Sequence, residues 1–230
     1  NDEAMSFFFP LSFDSNERDF YSFDKNQSLN YLTLVKGTSI INYYKINGLQ
    51  IDKKTYDCSS MKFMNALNQS LNFWELTKEQ DGIVYTTGFK DFHTDKRNYN
   101  AVSSADKKKI FVQEDTILIT SDINKNFTQI LSLSLKDFTA KQHIITKQDE
   151  NSTKNFISRQ SNSFIIDNKV FIGKFNDDKF SVVVKNLDNE PLFSFVITPT
   201  EGQEYINTDL IEEKAGIANR ETIENKEKFI

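Results

Sequence analysis

The chain has 230 residues, and its 28 Lys and Arg against 33 Asp and Glu leave a charge of −5 spread along its length, which argues against a nucleic-acid binder with its basic face. Phe occurs 21 times, Gly 7 times and Pro 3 times, so strands are favoured and Asn and Asp must make most turns. The one cysteine, Cys58, excludes an internal disulfide framework and the four-ligand zinc patterns, and no apolar run is long enough for a membrane-spanning helix.

From the N-terminus, residues 6–13 (SFFFPLSF) and 20–23 (FYSF) are two aromatic strands separated by a polar turn at 14–19. Strands at 31–35 and 40–46 follow, closed by Asn47-Gly48, the strongest hairpin signal of the chain, with a further strand leading away at 49–51. Residues 57–69 place Met61, Met64 and Leu67 at helical spacing and are expected to form one or two helical turns. At an offset of 42, residues 73–78 repeat the strand at 31 and residues 83–87 repeat the strand at 40. A third unit has strands at 116–120 and 127–135, and its Lys136-Asp137-Phe138 matches Lys90-Asp91-Phe92 at an offset of 46. A fourth runs through 164–175 and 180–187 around the polar turn at 176–179. At an offset of 53, Phe111 meets Phe164, Ile117 meets Val170, Ile119 meets Ile172, Phe127 meets Phe180 and Ile130 meets Val183. Residues 147–154 read as an exposed loop, and 208–230, with Leu210, Ile211, Ile217 and Ile223 among many Glu and Lys, are expected to form a helix. Opening on Asn1 and stopping on Phe229-Ile230 within an amphipathic pattern, the sequence is expected to be a processed or partial chain.

Four units spaced by 42, about 44–46 and 53 residues have the spacing of propeller blades. One four-stranded blade cannot cover both its faces, so neighbours must stack on it. The expected fold class is all-β: a propeller-like repeat of four-stranded antiparallel blades over 1–200, about four to five units and incomplete as a ring, then a short C-terminal helical segment over 201–230. A β-sandwich is the alternative.

Chemistry-bearing patterns are sparse. No GxSxG, HExxH or phosphate loop occurs, so no catalytic residue is assigned and no cofactor is expected. His93 lies between Asp91 and Asp95, which orients an imidazole for base work or leaves it a solvated loop residue. His143, in a strand at 142–146, is expected to face outward. Asp122, Asn124 and Asn126 alternate like the first half of a calcium loop. The central Gly is missing, however, and Leu133 stands where the bidentate Glu would fall, so a plain Asx turn explains the residues and they are weak metal candidates. Trp74, the sole Trp, is expected in a strand, either as packing or as a glycan platform with Tyr85 and His93.

At 161–171 (SNSFIIDNKVF) and 128–135 (TQILSLSL) the chain resembles exported β-propeller-like proteins of Bacteroidota, of the flavobacterial type. Its 219–230 segment (NRETIENKEKFI) is similar to the helix that follows such blades. The resemblance implies an extracytoplasmic location (periplasm, outer-membrane-associated or secreted) and brings no catalytic residues. The expected function is a non-enzymatic scaffold or protein-binding module, a subunit of an outer-membrane or envelope assembly with a protein partner. The alternative is a carbohydrate-binding or carbohydrate-active propeller protein with Trp74, Tyr85 and His93 lining a cleft.

Overall fold

The computed structural model describes residues 13–78, 90–91, 107–147, 160–175, 179–198, 211–213 and 220–222. The first sheet is a four-stranded antiparallel meander of β1 (Glu17–Lys25), β2 (Ser28–Val35), β3 (Ile40–Asn47) and β4 (Gln50–Asp57). Its turns explain its register. Asn26 and Gln27, between the paired Lys25 and Ser28, both have positive φ (50° and 60°), the geometry that a two-residue hairpin loop needs to match strand twist. Pairing of Asn47 with Gln50 makes Gly48-Leu49 the loop, one residue on from the expected Asn47-Gly48, and puts Gly48 (φ 57°) at its first position.

Two expectations fail in the next stretch. Residues 57–69 form no helical turn; β5 (Phe63–Met64) and β6 (Ser70–Leu71) make a small antiparallel ladder. The Asn65 side chain takes the Leu67 and Gln69 amides, each at 2.9 Å, and so offers the backbone an alternative to helix. Conversely, 73–78 is not a strand but the helix α1 (Phe73–Lys78). Asn72 Oδ1 accepts from the Glu75 amide and Glu75 Oε2 accepts from the Asn72 amide, both at 2.8 Å, a reciprocal capping box that outweighs the β preference of Phe73 and Trp74. Phe73 and Leu76, one turn apart, are the buried face.

The second sheet carries β7 (Lys90–Asp91), β8 (Lys108–Val112), β9 (Thr116–Ser121), β10 (Phe127–Ser134) and β11 (Ala140–Thr146); β7 joins β8 in parallel and the other pairs are antiparallel. The third is again a four-stranded antiparallel meander: β12 (Gln160–Ile166), β13 (Lys169–Phe175), β14 (Phe180–Asn186) and β15 (Pro191–Ile197). Asp167 and Asn168 (φ 49° and 59°) turn β12 into β13, splitting what patterning alone reads as one run. The C-terminal helix is corrected at the residues described: β16 (Ile211–Glu213) and β17 (Arg220–Thr222) form an antiparallel pair in which Glu213 faces Arg220. β-branched Ile211 and Thr222 pair across the same ladder, which favours strand.

The sheets stack in chain order. Leu32, Leu34, Ile41, Tyr43 and Tyr56 of the first share one core with Ile110, Ile117, Ile119, Leu131 and Leu133 of the second, closed by Phe63, Phe73 and Leu76. The opposite face of the second sheet, through Phe111, Leu118, Ile130 and Ile145, packs on Ile165, Val170 and Ile172 of the third. Each such buried Ile, Leu or Phe contributes about 1.5–3 kcal/mol relative to exposure. A layer covered on both faces needs apolar residues at consecutive positions, which is why β9 reads Ile117-Leu118-Ile119 rather than alternating. The all-β expectation holds, as three successive, mostly antiparallel sheets stacked face to face.

Candidate functional site

The end of β9 delivers Asp122 into the seam between the second and third sheets, where it is fully buried. Its Oδ1 accepts from Thr128 Oγ1 at 2.6 Å and faces Lys147 Nζ at 3.1 Å. Its Oδ2 accepts from the Ser163 hydroxyl (2.6 Å), the Ser163 amide (2.9 Å) and Lys109 Nζ (3.3 Å). Burial alone would raise the Asp122 carboxyl, but Lys147, Lys109 and the two hydroxyl donors hold it well below the usual carboxylate range. Lys109 is pushed down by burial, because one carboxylate is shared between two buried ammoniums; its second partner is the Asn162 side-chain carbonyl of β12. The cluster therefore ties β8, β9 and β10 to β12 through charge-assisted bonds.

That geometry places the three calcium-loop candidates. Asp122 is surrounded by two cations, an environment that repels a metal ion. Asn124 is buried, its amide donating to the Asn65 carbonyl (2.9 Å) and to Asn68 Oδ1 (2.8 Å) while its Oδ1 takes the Asn126 amide (2.9 Å). Asn126 itself is exposed. Among the described residues, no group of three or more His, Cys, Asp or Glu could hold a metal ion.

Trp74 lies on α1, not in a strand, half-buried against the first core. Its ring has the Lys78 ammonium 4.3 Å and the Arg18 guanidinium 6.0 Å from its centroid, so cations already occupy its π-system. Tyr85 and His93 lie outside the described residues. His143 does not face outward: it is buried toward the third sheet, with Nδ1–H donating to the Leu187 carbonyl at 2.8 Å. Burial pushes its imidazolium down, favouring the neutral ring. Cys58 is buried, its thiol pushed up to about 12 by desolvation, which leaves no reactive thiolate.

An exposed apolar surface lies elsewhere. Among the described residues, β15 is an edge strand of the third sheet, and it exposes Leu192 (50%), Phe193 (60%), Phe195 (37%) and Val196 (46%). Cross-strand pairing puts Phe171, Val184 and Phe193 in one row and Val182 with Phe195 in the next, a face directed away from the second sheet. The corresponding sides of the first two sheets are covered by the sheet that follows each. Sequence patterning missed this strand, although Pro191-Leu192-Phe193-Ser194-Phe195-Val196, opened by an Asx turn, carries the signal. Comparison of the chain with protein-family models, with curated proteins and with solved structures finds no match in any of the three.

Proposed function

We propose that the chain is a non-enzymatic protein-binding module, three consecutive blades of a propeller-like stack, whose third sheet receives a partner on its free face and edge. The observation that carries this is the concentration of Leu192, Phe193, Phe195 and Val196 on one edge strand. Singly exposed apolar side chains are ordinary, but an apolar edge strand is a template for another β-structure. The stacking sense names the occupant: another antiparallel sheet, offering apolar rows like Val170/Ile172 of β13 or Ile117/Ile119 of β9. The buried polar groups also favour a structural role, since Asp122, Lys109 and Lys147 are saturated by one another rather than turned toward a cleft. The extracytoplasmic setting, and membership of an envelope assembly, rest on the resemblance to exported Bacteroidota proteins. Carbohydrate binding through Trp74 has less support, because Arg18 and Lys78 already flank its ring.

A photo-crosslinking amino acid at Phe193, introduced in the source cell, is expected to give one discrete adduct, found in the envelope fraction, that the same label at Asp52 on exposed β4 does not. No adduct at Phe193, or equal labelling at both positions, overturns the proposal.

A further inference from the structure

A cleft of about 300 Å³ opens between the first and second sheets, at the end where the β1–β2, β8–β9 and β10–β11 turns meet. That volume sits at the low end of small-ligand pockets. Its first-sheet side carries Lys25, Lys45 and Tyr43, and its second-sheet side carries Glu114, Asp115 and Phe138. Lys25 donates to the Gln113 carbonyl at 3.2 Å and so bridges the two sides. Among the described residues, Lys45, Glu114 and Asp115 have no ion-pair partner, although cations and carboxylates line the same space.

Phe138 is the second, independent signal. It has φ 57°, and the other described non-Gly residues with positive φ are Asn, Asp or Gln. A bulky residue held in the left-handed region is strained, and such strain gathers at ligand clamps. The loop that holds it is fixed: the Ser134 amide donates to the Thr139 carbonyl (2.9 Å) and the Leu135 amide to the Asp115 carbonyl (2.8 Å). Its ring is set by Tyr43 and Tyr56, with centroids at 6.1 and 6.3 Å, and by Lys54 Nζ at 5.2 Å. The result is an aromatic wall between a cationic side and an acidic side.

We infer that this cleft binds a small zwitterion bearing an apolar side chain, the chemistry shared by a free amino acid and a short peptide. Its carboxylate lies toward Lys45, its ammonium toward Glu114 and Asp115, and its side chain on Phe138. The lining supplies equal numbers of both charges, so a ligand of either net sign would leave one side unmatched. The site is independent of the β15 surface and stands whether or not that surface binds protein.

The test is chemical-shift titration of the whole chain with L-phenylalanine and with glycyl-phenylalanine at millimolar concentration, alongside the N-acetyl and carboxamide forms of phenylalanine. Shifts confined to residues around Tyr43, Glu114 and Phe138 are expected, with at least tenfold weaker binding for both blocked forms. Tighter binding of the dipeptide identifies a peptide ligand, and tighter binding of the amino acid a free one. Lys45→Met should weaken the zwitterion and the N-acetyl form but leave the carboxamide unchanged, and Glu114→Gln with Asp115→Asn should weaken the zwitterion and the carboxamide but leave the N-acetyl form unchanged. Phe138→Asn keeps a residue that tolerates the backbone conformation and should abolish binding. Absence of cleft shifts, or shifts indifferent to these charge changes, overturns the assignment.

Discussion

Phe111 and Phe164 stand 53 positions apart in the chain and meet edge to face, their ring centroids 5.3 Å apart and their planes at 86°. They belong to β8 of the second sheet and β12 of the third, so residues equivalent by repeat are also in contact across the stack. Phe111 is fully buried. Phe111→Ala is expected to cost about 3–5 kcal/mol in urea unfolding, and Phe164→Ala less, since that ring is only half-buried. A double-mutant cycle should return a coupling of about 0.5–1.5 kcal/mol; a coupling near zero would mean the two rings merely coincide.

Asp122→Asn leaves Lys109 and Lys147 buried without a counter-charge, and is expected to destabilise by about 3–5 kcal/mol. The pH profile gives a separate check. Asp122 has a folded-state pKa below its unfolded one, so its stabilisation is complete above the ordinary carboxylate range and is lost as pH falls toward the lowered folded value. Acid unfolding of the parent should therefore steepen below about pH 4, and the Asn variant should show a shallower acid limb.

Lys109 gives a slope of the same sign on the alkaline side. Its lowered folded-state pKa means that the unfolded chain holds the proton longer, so stability should rise with pH between the folded value and about 10.4. Lys109→Met should flatten that rise and, by removing the unbalanced second ammonium, cost less than Asp122→Asn. Melting temperatures across pH 8–10 give the comparison.

Asn72→Ala removes one half of the capping box and should lower stability by about 1 kcal/mol, with α1 the element that loosens. Trp74 sits on that helix and reports on it directly. A red shift of its fluorescence in the variant, without change at the second and third sheets, is the expected outcome.

Gln27 occupies a left-handed position in the β1–β2 turn. Gln27→Gly should raise stability by a few tenths to about 1 kcal/mol, since relief of the backbone clash exceeds the added entropy of the unfolded chain. A fall in melting temperature would show that the Gln side chain has a role of its own.

Legibility in the sequence follows the range of the forces involved. The offset of 53 carries through two strand pairs, β8 with β12 and β9 with β13, and slips by one at β10 and β14, where Leu131 pairs with Ile119 as Val183 pairs with Ile172. The offset of 42 misleads, because similarity of 73–78 to 31–35 is compositional while Asn72 and Glu75 set the local structure. The β1–β2 turn hides because Gln27 is an unusual residue for positive φ, and the strand at 211–213 hides because Glu212 and Glu213 favour helix locally while pairing with residues 220–222 makes the strand. Asp122 looked like a metal ligand because its neighbours in sequence are oxygen-rich. The groups that decide its chemistry, Lys109, Lys147 and Ser163, arrive from 13, 25 and 41 residues away.

The second sheet is covered on both sides, and each of its neighbours is covered by it on one. Free energy in such a stack is a sum of layer terms and nearest-neighbour interface terms, as in a one-dimensional lattice. The middle layer carries two interface terms and the outer layers one each, so thermal fraying should begin at β15 and reach β9 last. Amide exchange would then be graded along the stack, with Leu118 and Ile119 opening only in global unfolding.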